Sequence, residues 1–368
     1  MEVDQTGDAR RGIARIVRQN PEGGHSMPDV QLDPSHIMDV GMGFWPSKAL
    51  LSAVGLDLFS HLGGESMTGE EVGKRLGLHS RATYDFLDAL VALRFLERDG
   101  DGADGRYRNS AEAAAFLDEK SPAYLGGFLK MCNARLYRFW GELTEALKTG
   151  EPQNEVKLTG KSFYEGLYSD HGRLEQFMHA MASQGAGSCD ALAEQFDFSR
   201  YKTVCDAGGA TGQLCMVLAR RHPHLGCTTF DLPVVCPIAE KAIAAAGLSE
   251  HVTVASGDFF AGPLPRADVI TMGYILHGCN LDQKKQLIRA AYDALPDGGA
   301  FIVIQELIDD SRRENVSGLM MSLNMLIEFG DAFDFTGSDF AGWCREAGFR
   351  NIEVLPLTGP TSAGIAHK

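Results

Sequence analysis

The run Cys205-Asp206-Ala207-Gly208-Gly209-Ala210-Thr211-Gly212 constrains this chain most, because it lies between an apolar stretch, Tyr201 to Cys205, and a helical pattern, Gln213 to Arg221. A strand that closes on an acid and turns through glycines lets a ligand approach bare backbone, which predicts a nucleotide-type pocket. The acid narrows the ligand. In a dinucleotide fingerprint a pyrophosphate rests on the helix N-terminus, and a carboxylate two residues before the first glycine repels it. A cationic, phosphate-free nucleoside such as S-adenosylmethionine (SAM) suits the position better.

Two further elements follow in order. Thr229-Phe230-Asp231-Leu232-Pro233 ends a second apolar run on an acid, at the spacing expected of a ribose-binding carboxylate. Ser256-Gly257-Asp258-Phe259-Phe260 follows Val252-Thr253-Val254 and offers a carboxylate for an exocyclic amine with aromatics to flank a purine. A glycine-rich turn alone can mean only tight packing; the ordered series predicts SAM binding. The expected cofactor residues are Asp206, Gly208, Gly209, Gly212, Asp231, Leu232, Asp258, Phe259 and Phe260, with Met272 and Gly273 closing the next strand.

These motifs, together with Ile275-Leu276-His277 and Leu295-Pro296-Asp297-Gly298-Gly299, resemble the small-molecule O-methyltransferase family that includes caffeate, hydroxyindole and bacterial polyketide methyltransferases. The resemblance runs from about residue 35 to the C-terminus. One departure is Ala210, where the family usually has glycine; its methyl is expected to be tolerated provided the backbone there stays in a region open to L-residues. The resemblance implies a Rossmann-like class I methyltransferase domain with an N-terminal, mainly helical winged-helix dimerisation domain, SAM as cofactor, S-adenosylhomocysteine as its product, and a homodimer.

The residues read the same way. Strand and helix patterns alternate from Phe198 onward, which predicts a doubly wound parallel sheet with helices on both faces and ligands beyond the carboxyl ends of its strands. The expected divisions are a flexible tail over 1–34, with Met27 as a potential natural start, a winged-helix-like domain over 35–120, linking helices over 121–197 that pack against both domains, and the SAM domain over 198–368. In the second segment, Met67 to Leu78 reads as a capped helix and turn, Ser80 to Phe95 as a helix, and Leu96-Glu97-Arg98 with Tyr107-Arg108 as a wing.

That grammar raises a DNA-binding regulator as the rival reading. The net charge of −15 argues against it, and so do Asp85 and Asp88 beside Arg81 and Arg94 on the candidate recognition helix. No run of about 18 apolar residues is present to span a membrane, and the first 26 residues lack the long apolar segment of a secretory signal. The eight cysteines are scattered without C-x-x-C pairs, as in a reduced cytoplasmic protein with neither a disulfide frame nor a zinc site. No metal is expected.

The chemistry is placed at Met272 to Asn280. In the resembled family a histidine at the position of His277 removes the acceptor proton and is followed by Asp-Trp; here Gly278 and Cys279 follow. The family's other catalytic acids map onto Glu306 and Asp334. With the neighbouring acid gone, an acceptor that has no proton to lose gains weight, because a thioether sulfur needs only alignment and exclusion of water. Ile37 to Trp45 and the altered His277-Gly278 pair are similar to the methylthiohydroxybutyrate S-methyltransferases of dimethylsulfoniopropionate synthesis. The reading therefore leans to S-methylation of a small carboxylate-bearing thioether such as 4-methylthio-2-hydroxybutyrate. Methylation of a phenolic or polyketide oxygen is the alternative, and a SAM-binding enzyme without methyl transfer stays open. Arg135, or Arg138 beside it, is the candidate partner of the acceptor carboxylate, with Tyr137, Met181, Asn324 and Met325 as further substrate residues.

Overall fold

The computed structural model describes residues 14–15, 31–161 and 163–368. Apart from 14–15 and 31–34, the expected tail, Met27 included, lies outside the described residues. The chain divides into two compact units, the first ending at Asp118 and the second running from Glu119 to Lys368. The second unit thus takes in the helices expected to link two domains.

In the first unit, Thr68 caps the helix Gly69–Leu76 through a reciprocal pair of hydrogen bonds with Glu71, and Gly77 ends it in the left-handed region. The next helix, Ser80–Ala92, stops three residues short of the expected end. Arg94 takes φ +65°, and the Phe95 N–H turns back to the Leu90 carbonyl. Strands Leu96–Asp99 and Arg106–Asn109 form the wing, with Met67–Thr68 on the other side of the latter. Arg81 pairs with Asp85, and Arg98 with Asp88 at 2.7 Å.

The second unit is built on seven strands: β1 Thr203–Ala207, β2 Gly226–Asp231, β3 Val252–Ser256, β4 Val269–Gly273, β5 Ala300–Gln305, β6 Asn351–Pro356 and β7 Ser362–His367. Their order across the sheet is β6-β7-β5-β4-β1-β2-β3. Neighbours from β5 to β3 are parallel, but β7 runs antiparallel to both β5 and β6, so the sheet is mixed where an all-parallel one was expected. The cause is local. Only residues 357–361 join β6 to β7, closed by Leu357 N–H to Thr361 O, and so short a link makes a hairpin and not a crossover.

Both faces are covered. Val204, Ile302 and Ile365 pack with Leu192, Leu214 and Leu218 on one side, while Ile270, Met272, Phe301 and Val303 pack with Leu287, Ile288 and Phe340 on the other. At about 1.5–3 kcal/mol for each large apolar side chain buried, these two layers fix the strand ends on which the site stands. The order reverses between β1 and β4, the switch point at which such sheets open a crevice. Residues 126–140 are helical with a π turn at Cys132–Leu136, followed by Leu143–Thr149. The helix expected from Gly172 spans His171–Gln195.

Candidate active site

Asp206 lies in β1, 5% exposed, and accepts the Thr271 hydroxyl of β4 at 2.6 Å. Burial pushes its carboxyl up to about 6. The chain then turns through Gly208 at φ +80° and Gly212 at φ +76°. Gly209 has no room for a side chain, since a Cβ there would stand 2.2 Å from Thr229 Oγ1 and 2.9 Å from Asp206 Oδ2. Ala210 departs from expectation. Its φ is +50°, in the left-handed region that the argument for tolerance required it to avoid, a conformation costing an L-residue roughly 1–2 kcal/mol.

What holds Ala210 there is the next site residue. Asp231, at the end of β2, accepts the Ala210 N–H at 2.9 Å and the Leu232 N–H at 2.7 Å. Burial raises its carboxyl while these donors pull it down. Gly257 faces the Phe230 ring, Phe259 lies against Phe260 edge to face, and the Phe260 N–H donates to Asp258 at 2.8 Å. A Cβ built on Gly208 would meet Ile275 at 2.4 Å and Phe259 at 3.6 Å, so Phe259 flanks the glycine turn. Met272 is fully buried in the core beneath Gly273.

Beyond β4 the backbone kinks at Tyr274, φ +55°, into a short 3-10 turn, Leu276–Gly278, that presents His277. His277 Nδ1 stands 3.8 Å from Asp334 Oδ2, and neither atom has a hydrogen-bond partner among the described residues. The other Asp334 oxygen accepts the Gln305 amide at 2.8 Å. The pair is therefore aimed but not closed, as pairs that tighten only in a complex often are. Glu306, 7% exposed, is held by the Ser317 hydroxyl at 2.5 Å.

Arg135 is placed otherwise than expected. Its guanidinium, 10% exposed, is shared by Glu155 at 2.7 Å and Glu328 at 2.5 Å, so it joins three helical segments and its charge is neutralised from within the protein. Arg138 is exposed. Asn324 accepts the Trp140 indole N–H at 2.9 Å, Met325 is buried at 5%, and Tyr137 and Met181 are half-buried. Sequence reasoning missed two aromatics. Tyr164 stacks between Tyr168 and Phe329 with ring centroids 5.6 and 5.8 Å away, and Phe329 lies beside Gly278. Burial raises the Tyr168 phenol to about 12, with the charges of Asp231 and Asp258 adding to it. The aromatic spacing Tyr164-x-x-x-Tyr168 was the available signal. Among the described residues no cluster of three or more His, Cys, Asp or Glu is arranged for a metal, and no helix is long and apolar enough to cross a membrane.

Residues 140–350 match the O-methyltransferase domain and residues 38–119 the O-methyltransferase dimerisation domain. The chain is similar to the tetracenomycin polyketide synthesis 8-O-methyl transferase TcmO of Streptomyces glaucescens, 40% identical over 91% of this chain and 97% of that protein. It is also similar to the N,N-dimethyltransferase OxyT of Streptomyces rimosus, 36% identical over 85% of this chain and 90% of that one. Human N-acetylserotonin methyltransferase, solved in complex with SAM, superposes with a TM-score of 0.84 at 27% identity, covering 91% of this chain and 97% of the other. The lean toward sulfur finds no support in these relatives, of which the two Streptomyces proteins are named for oxygen and nitrogen acceptors; the alternative, a natural-product oxygen, is better backed. The chain is a methyltransferase and belongs to the SAM-dependent small-molecule O-methyltransferase family with an N-terminal dimerisation domain.

Proposed function

We propose that this enzyme O-methylates a phenolic hydroxyl of a polyketide-type aromatic acceptor, with His277 as the base. The observation that carries the reading is the buried face-off of His277 Nδ1 and Asp334 Oδ2 at 3.8 Å. A phenol with a pKa of about 10 must lose its proton as the methyl arrives, and a positioned base contributes about 10²–10⁴-fold. Gly278 supplies no carboxylate, but Asp334, reached from 57 residues further along the chain, is set to accept a hydrogen bond from Nδ1–H and leave Nε2 free to take the acceptor's proton. A thioether would have no use for that arrangement.

SAM, when bound, supplies an electrophilic sulfonium methyl. The residues present fit it: a turn where Gly209 leaves no space for a Cβ, buried Thr211 and Thr229 hydroxyls without partners among the described residues, and Asp206 and Asp231 as acids at two strand ends. Asp206 with Gly208, Gly209 and Gly212 would hold the cationic end, Asp231 and Leu232 the ribose, and Asp258, Phe259 and Phe260 the adenine, above Met272 and Gly273. Glu306 and Asp334 flank the transfer, and Tyr137, Met181, Asn324 and Met325 line the acceptor side. The unit pairs as a homodimer, which the exposed Ile37, Met38, Val40, Phe44 and Trp45 of the first unit support.

The test is a panel of hydroxynaphthoates, hydroxyanthraquinones, amines and thioethers with methyl-labelled SAM, reading by mass spectrometry and NMR which atom receives the label. Label on a phenolic oxygen is expected. Label confined to sulfur or nitrogen sinks the proposal.

A further inference from the structure

Among the described residues Lys284 is the one lysine with a fully buried side chain, 0% exposed in the helix Leu281–Ala294. Its ammonium donates to the carbonyl of Cys279, two residues past His277. The same nitrogen lies 3.7 Å from the centroid of the Phe333 ring and 5.7 Å from that of Phe335, the residues on either side of Asp334. Burying an ammonium is costly, and an apolar side chain of similar length would fill the space with less penalty. A buried cation retained at such a point needs a use.

We infer that Lys284 is a positioning residue of the methyl-transfer site, tying the turn that bears His277 to the segment that bears Asp334 and setting a positive charge beside that carboxylate. The inference rests on the reading of His277 and Asp334 as a working pair. The pair stands 3.8 Å apart with both facing atoms unpartnered, so whether it closes depends on the relative placement of 276–279 and 333–335, the two pieces Lys284 touches. The charged and titratable groups that face the ammonium are the Cys279 thiol and the Asp331 and Asp334 carboxylates; His277 lies across Asp334. Burial lowers the lysine to about 8, and the three facing groups pull it back up. Its charge is therefore present at neutral pH and lost above.

The experiment is Lys284→Met in the full chain, with a hydroxynaphthoate as acceptor and His277→Ala in parallel. We expect kcat to fall by about 10- to 100-fold, as misplacement of a reacting group does, with the Kd for SAM and the acceptor KM within about threefold of wild type. Wild-type kcat should decline above about pH 8, and the variant's should not. A variant with wild-type kcat, or one that keeps the alkaline decline, overturns the assignment. If His277→Ala retains wild-type kcat, both readings fall; if it is impaired and Lys284→Met is not, only the role of the lysine falls. Should Lys284→Met fail to fold, ¹⁵N NMR of the lysine side chains in wild type and Asp334→Asn decides. A Lys284 titration displaced downward in Asp334→Asn supports the coupling, and an unchanged one overturns it.

Discussion

The two ends of the pocket are built differently. At the proposed nucleoside end the groups hang on backbone: Asp206 and Asp231 lie at the ends of adjacent parallel strands, the Asp231 carboxylate is fixed by two main-chain N–H groups, and the glycine turn is shaped by what cannot fit there. At the proposed acceptor end His277 and Asp334 are side chains brought together from distant stretches, framed by helices that the Arg135 pairs with Glu155 and Glu328 tie to one another. On the proposed assignment, rigid strand ends would hold a shared cofactor, while helices and loops, whose mutual placement depends on packing, would frame an acceptor that differs from one relative to the next.

The contrast breaks if a change at one end acts on the other. His277→Ala should lower kcat by about 1,000-fold while calorimetry shows SAM affinity unchanged. A parallel loss of SAM binding would mean the two ends are one unit. Gly209→Ala should do the reverse, weakening SAM binding by 100-fold or more, on the order of 3 kcal/mol, because its methyl collides with Thr229 and Asp206. If that variant binds SAM normally, the glycine turn is not the cradle.

A pH series sharpens the same division. Asp206 ionises at about 6 in the folded chain against 3.8 for the free group, so the folded state binds the extra proton. Stability from this group is therefore greatest at low pH and falls as pH rises from about 4 to 6. A cationic ligand wants the ionised form, so SAM affinity should drop about tenfold per pH unit below 6, measured by calorimetry between pH 5 and 8. A flat profile would remove Asp206 from the cation's surroundings. The smallest effect expected is at Ala210, where glycine should relieve the left-handed backbone and stabilise the chain by about 1 kcal/mol, a shift of about 2 °C in Tm. Loss of stability there would show that the Asp231 contact needs the alanine.

The placement of the three acids was legible because strand, acid and glycine follow one another within a few residues, and spacing alone carries Asp206, Asp231 and Asp258 to neighbouring strand ends. His277 was legible for the same reason, lying just past the end of β4. Arg135 was misplaced because a helical position beside the acceptor does not reveal that Glu155 and Glu328 reach the same point. The weight given to sulfur had a similar origin: glycine after His277 was read as a base without support.

From the sequence alone came the alternation that makes a doubly wound sheet, the acids at its strand ends and a capped helix of the first unit, since each follows from local spacing and turn chemistry. Tertiary structure alone decided that Asp334 stands opposite His277, that Lys284 is buried between their two segments, that Tyr164 and Tyr168 stack into the site and that the last strand turns back on itself. Those facts depend on contacts between residues far apart in the chain, which are set by how helices and loops pack and leave no period or motif in the sequence to be read.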